Sequence, residues 1–276
     1  TVTLLKDVEL SDKVVVAKKL TINLGGNTLS RVNTVQGQDG SAITVIADGD
    51  LTLENGTVYV TLLDYRYSAI TIDTEPTSAY AANAKLTIGA DVKIEAPTTY
   101  GVTVFGNKSE SVTATLVVKG EINAYCAAVS GNGTYWGTDI TLDDGAVLTS
   151  TDSVAVYHPQ KGTLTIKGAT ITGKGGIEAK SGDSVVTVEN AKIKATAEPN
   201  HSASSSGTST EGYAVAVVEN SAYQGAPTFT IQNGEFYGPI ALLQDNQVVS
   251  EKAGSITVNG GSFTDLMSAV KYAASG

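Results

Sequence analysis

The sequence predicts an all-β solenoid, one rod of about nine to ten stacked coils, on three observations. The first is a repeat. LTIKGATITG, starting at Leu164, is echoed by segments that start at Leu51, Leu86, Leu116, Ile140, Val186, Phe229 and Ile256, with a fainter copy at Leu20. Their spacing falls to 22 residues and stretches to 43, as expected when parallel strands stack in register while loops between them lengthen. The second observation is alternation. In Leu164-Thr165-Ile166 the apolar residues face one way and the threonine the other, the period of a half-buried strand. The third is the residue four after seven of the anchors: Asn55, Gly120, Asp144, Gly168, Asn190, Asn233 or Gly260. These types tolerate a left-handed backbone and mark a corner.

Taken in order, residues 1–19 read as a short first coil or N-terminal cap, 20–255 as the coils, and 256–276 as the last strand and a capping helix, all one domain. After each corner a second apolar segment follows: SAITI from Ser68, GVTV from Gly101, CAAV from Cys126, SVAV from Ser153, GIEA from Gly176, AVAV from Ala214 and PIAL from Pro239. Helical spacing is seen only at the end. There Phe263, Leu266, Met267 and Val270 fall on one face of a short helix, placed to blunt an open strand edge. The outlying spacing of 43 is taken up by TAEPNHSASSSGTSTEG, residues 196–212, a low-complexity loop.

The LTI-type coils with Asn, Gly or Asp corners resemble the right-handed parallel β-helices of the pectate-lyase superfamily over nearly the whole chain. TVTLLKDVEL, LTINLGGNTLS and the closing VNGGSFT are similar to β-helix domains in large surface proteins of gut bacteria. The resemblance implies a right-handed parallel β-helix. It leaves the activity open, because that superfamily includes polysaccharide lyases and glycoside hydrolases and fold alone decides no activity. At about 4.8 Å per coil the rod is on the order of 45 Å long.

Composition narrows the partners. The net charge is −10, and Arg31 and Arg66 are the only arginines, so nucleic acid is not an expected partner. No apolar run is long enough for a transmembrane helix, and no membrane insertion is expected. The chain opens without Met and reads as an excised domain or a mature protein. Rich in Thr, Gly, Val and Ala and poor in Met and Cys, it suits a secreted or cell-surface bacterial protein. Cys126 has no internal disulfide partner and reads as a small core residue.

Arg66, between Tyr65 and Tyr67, reads as solvated or tyrosine-stacked rather than as a lyase base. Asp143-Asp144 reads as turn chemistry, with Asp144 at the corner. Position three after the anchor alternates in sign from Lys119 through Asp143 and Lys167 to Glu189, which predicts an ion-pair ladder rather than a calcium site. His158 and His201 fall in different coils, both placed in loops. No catalytic residue, metal site or cofactor is expected.

Binding is the better expectation. Tyr67, Tyr100, Tyr125, Tyr213 and Tyr237 each stand just before a second-segment strand, which predicts a stack along the rod, packing a corner or offering rings to a ligand. Tyr135 and Trp136, in the Gly-rich SGNGTYWGTD, form a second candidate. The expected function is a non-catalytic secreted or cell-surface module, acting as adhesin, spacer or binder of polysaccharide or of a host or cell-surface protein. The alternative is a polysaccharide lyase or glycoside hydrolase. Ice binding through stacked threonines ranks third, because charged or large residues interrupt the array.

Overall fold

The computed structural model describes residues 1–64, 66–74, 82–109, 111–134, 136–180, 182–200, 209–218, 223, 225–245 and 254–264. Strands pair in parallel with those of the neighbouring coils, and the chain forms a right-handed parallel β-helix. Among the described residues three sheets make its faces, two of ten strands and one of nine. A typical coil, the seventh, runs through Lys161–Ile166 in sheet 1, Ala169–Gly173 in sheet 2 and Gly175–Lys180 in sheet 3. Each coil thus carries three strands where two segments were expected. The middle one was folded into the echoes, because the sheet 1 to sheet 2 turn is too short to leave a gap in the pattern.

The anchors align residue for residue. Leu20, Leu51, Leu86, Leu116, Ile140, Leu164, Val186, Phe229 and Ile256 form one paired column in sheet 1. A matching column in sheet 2 runs Leu29, Val58, Ile94, Ile122, Leu148, Ile171, Ile193, Phe236 and Phe263. Sheet 3 contributes Ile43, Ile70, Val102, Val129, Val156, Ile177, Val215 and Leu242. Most of these side chains are fully buried, and each fully buried one stabilises the fold by about 1.5–3 kcal/mol. Identical positions one coil apart are neighbours, so one favourable choice repeats along the axis. Where sheet 2 turns into sheet 3 the coil narrows. A Cβ on Gly101 or Gly176 would come within 2.5 and 2.3 Å of Ile122 and Ile193.

The corner between sheets 1 and 2 is built differently from the expectation. Among the seven corner residues only Asn55 is left-handed, at φ 53°, and in the Asp144 turn it is Gly145 that takes φ 82°. Gly120 is required by space instead, since a Cβ there would meet the carbonyl oxygens of Gly89 and Val92 at 2.3 Å. At the C-terminal end Phe263 is not helical. It lies in the Ser262–Phe263 strand and stacks on Phe236 with ring centroids 4.9 Å apart. Leu266, Met267 and Val270, on which the capping helix rested, lie outside the described residues, among which there is no helix.

Candidate functional site

Sheets 1 and 2 keep the alternation of a half-exposed surface, with threonines stacked outward. Thr141, Thr165, Thr187, Thr230 and Thr257 are paired in order, and so are Thr21, Thr52 and Thr87, with Val117 between the two groups. The charge ladder is present beside them. Asp143 lies 3.8 Å from Lys119 and 3.9 Å from Lys167, and farther along Asn259 donates to Gln232 at 3.0 Å.

Sheet 3 differs because its outer face is partly covered. The outward column runs Val15, Thr44, Thr71, Thr103, Ser130, Tyr157, Glu178, Ala216 and Leu243. In the Gly175–Lys180 and Tyr213–Val218 strands every residue is buried. Over the earlier coils this face opens into two adjoining clefts. The larger, about 310 Å³, is walled by Tyr100, Phe105, Tyr157, Tyr223 and Arg66 over a floor that includes Thr103, Ser130 and Ser153. The smaller, about 210 Å³, lies among Lys13, Asp39, Thr44, Tyr67, Thr71, Asp73 and Phe105. Phe105 borders both, and the floor is continuous because Thr71 pairs with Thr103. Hydroxyl groups link along it: Ser68 with Thr71 at 3.0 Å and Thr103 with Ser130 at 2.9 Å.

The charged groups here are held by neighbours. Asp64 accepts from Arg66 Nε at 2.9 Å and from Nη2 at 2.5 Å, and this fork holds its carboxyl well below the usual carboxylate range. Asp39 is bound by Lys13 at 2.6 Å and by the Ser41 amide at 3.0 Å; these bonds hold its carboxyl low against the opposing effect of burial. Arg31 is buried in the Thr28–Asn33 strand, with its guanidinium on the Ser41 carbonyl and 3.5 Å from Asp12. His158 points into the core near Thr138 rather than into a loop, and burial pushes its pKa down to about 4. Among the described residues no three metal-ligating side chains cluster. His201 lies outside them.

The five tyrosines do not stack. Tyr100 pairs with Ser68 rather than with Tyr67, and Tyr213 pairs with Ile240 rather than with Tyr237. Tyr67 and Tyr100 do line the clefts. Tyr125, 41% exposed, stands in the turn before sheet 3, where its hydroxyl bonds Asp152. Tyr213 is buried with Ala216, Val218, Ile240 and Leu243. Tyr237 belongs to sheet 2, its hydroxyl on Glu235 and Lys192 Nζ 5.3 Å above its ring. The physical reason is the corner before sheet 3, whose length varies by a residue or more between coils. A slip of one residue turns a side chain to the other face.

Trp136 opens the Trp136–Leu142 strand of sheet 1, partly exposed, and Tyr135 lies outside the described residues. Two backbone hydrogen bonds, at 2.6 and 2.7 Å, tie Trp136 to Asn107. Trp136 is not among the cleft residues. Phe105, Tyr157 and Tyr223 are, and were missed. For Phe105 and Tyr157 the signal was present: each follows an inward valine at an outward position of GVTVF and SVAVY. Comparison with protein families, with curated proteins and with solved structures found no match.

Proposed function

We propose that this protein is a non-catalytic module of the cell surface or the secreted space, distantly akin to pectate-lyase-like β-helices, that binds polysaccharide along the outer face of sheet 3. The observation that carries this reading is the pair of clefts joined at Phe105. Aromatic walls over a hydroxyl-bearing floor match a sugar, which offers apolar C–H faces and a rim of hydroxyls. Two carboxylates near the clefts, Asp64 and Asp39, favour a structural role over acid–base work, since each is engaged by a cation.

The test is native affinity electrophoresis through gels containing plant, mucin or bacterial polysaccharides. The expected result is retardation in at least one gel, lost in Tyr100→Ala and Phe105→Ala and kept in Trp136→Ala. Loss in Trp136→Ala alone would place the site at the SGNGTYWGTD segment instead. Absence of retardation in every gel would reject glycan binding in favour of a spacer or protein adhesin. Release of oligosaccharides from any of these polymers would reject the non-catalytic half of the proposal.

A further inference from the structure

The larger cleft ends at Ser209, where the chain returns from its longest excursion off the coils. That excursion leaves sheet 2 after Ala195 and rejoins sheet 3 at Tyr213. Its base is clasped by an antiparallel bridge, with Asn200 and Glu211 exchanging backbone hydrogen bonds at 3.0 and 2.9 Å. The Gly212 amide donates to the Lys174 carbonyl at 2.9 Å, and Lys174 Nζ lies 3.8 Å from Glu211. The bridge closes the base of the excursion, and the other two contacts tie it to Lys174, just ahead of the Gly175–Lys180 strand, without themselves reaching the outer face of that strand.

Glu178 makes that connection. It stands on the outward column of sheet 3, where a carboxylate would ordinarily reach water, yet it is 0% exposed. Its Oε2 accepts the Thr210 amide at 2.9 Å, and its Oε1 accepts the Thr210 hydroxyl at 3.3 Å and faces Lys180 Nζ at 3.5 Å. Next to Thr210, the Ser209 hydroxyl shares a hydrogen bond of 3.0 Å with Ser153, and both serines line the larger cleft. A buried carboxylate persists only when its oxygens are satisfied, so Glu178 and Thr210 depend on each other.

We infer that Glu178 is a positioning residue: by holding Thr210 it sets the Ser209 wall against Ser153 and so fixes the width of the cleft at this end. The effect on ligand rests on the glycan reading above, while the latch itself does not.

The experiment is hydrogen exchange on peptides covering 209–218 in the wild type, Glu178→Ala, Glu178→Gln and Thr210→Val, paired with the affinity gels. Glu178→Ala is expected to speed exchange of the 209–212 amides about tenfold or more while the Tyr213–Val218 strand stays protected. Retardation should weaken severalfold. Glu178→Gln keeps an oxygen for the Thr210 amide and should restore most of both. Thr210→Val, which deletes a single donor, gives an intermediate result and carries the test should Glu178→Ala not fold. Unchanged exchange at 209–212 in both Glu178→Ala and Thr210→Val, or in Thr210→Val alone when Glu178→Ala does not fold, would overturn the latch. Faster exchange with undiminished retardation would overturn its positioning role. A loosened loop in a protein whose wild type no polysaccharide retards would sink the glycan reading and leave the latch standing.

Discussion

His158 and Glu178 are both sealed from water, His158 inside the coil and Glu178 on the outer face of sheet 3. Burial alone lowers the imidazole to about 4. Between pH 6.5 and 4 the unfolded chain therefore takes up a proton that the folded chain refuses, and acid costs stability. Burial acts on Glu178 in the opposite sense, raising its carboxyl to about 7 against the attraction of Lys180 and the hydrogen bonds from Thr210. Between pH 4.5 and 7 the folded chain keeps a proton that the unfolded chain has lost, so stability falls as pH rises. Each effect is a few kcal/mol at most, and the two largely cancel over weak acid. Single variants should unmask them. In urea titrations His158→Leu is expected to lose stability from pH 4.5 to 7, and Glu178→Gln from pH 6.5 to 4; matching slopes in the two would refute the assignment. Cys126 is a simpler case. Burial pushes its thiol up to about 11, so a maleimide at neutral pH should label it only after denaturation.

At the scale of elements, the exposed ladders contribute little and the buried tethers contribute much. Asp143 sits between two lysines at nearly 4 Å with all three partly exposed; Asp143→Asn should change unfolding free energy by less than about 0.5 kcal/mol in guanidinium titrations. Asn107 is the contrast. Its side chain is buried, with Nδ2 on the Thr74 carbonyl and Oδ1 accepting the Ser109 amide at 2.9 Å. Asn107→Ala strands those groups and should cost about 2 kcal/mol. Because its backbone also bonds Trp136, the fluorescence of this sole tryptophan should shift toward that of the unfolded chain at lower denaturant than the far-ultraviolet dichroism. Coincident transitions would show that the Trp136 bridge does not open separately. The strands of sheet 1 were legible from their alternation, while those of sheet 2 merged with them, because the short turn preserves the phase of the alternation from one strand to the next. Sheet 3 was legible as a set of apolar segments but not in its facing. The longer corner before it breaks the phase, so the five tyrosines shared a sequence context without sharing a column.

Over the whole molecule, equivalence of the coils has a direct consequence. Ile140 and Leu164 occupy the same column one coil apart, so removal of residues 140–163 joins equivalent points and leaves the remaining columns in register. That deletion should yield a shortened β-helix that melts cooperatively at a lower temperature, measured by circular dichroism. Removal of residues 152–163 alone joins non-equivalent points and should abolish the cooperative transition. The sequence by itself determined the solenoid, its coil spacing and the inward column of sheet 1, because a strand's alternation and a coil's repeat are local properties that stacking only reinforces. The cleft was decided by tertiary structure. Tyr67, Tyr100, Phe105 and Tyr157 come to one face because successive coils stack in register, and Ser209 joins them through its hydrogen bond to Ser153 while its neighbour Thr210 is held by the buried Glu178. Loop paths obey no period, so which outward side chains they bring together, and which they shut away from water, follows from packing alone.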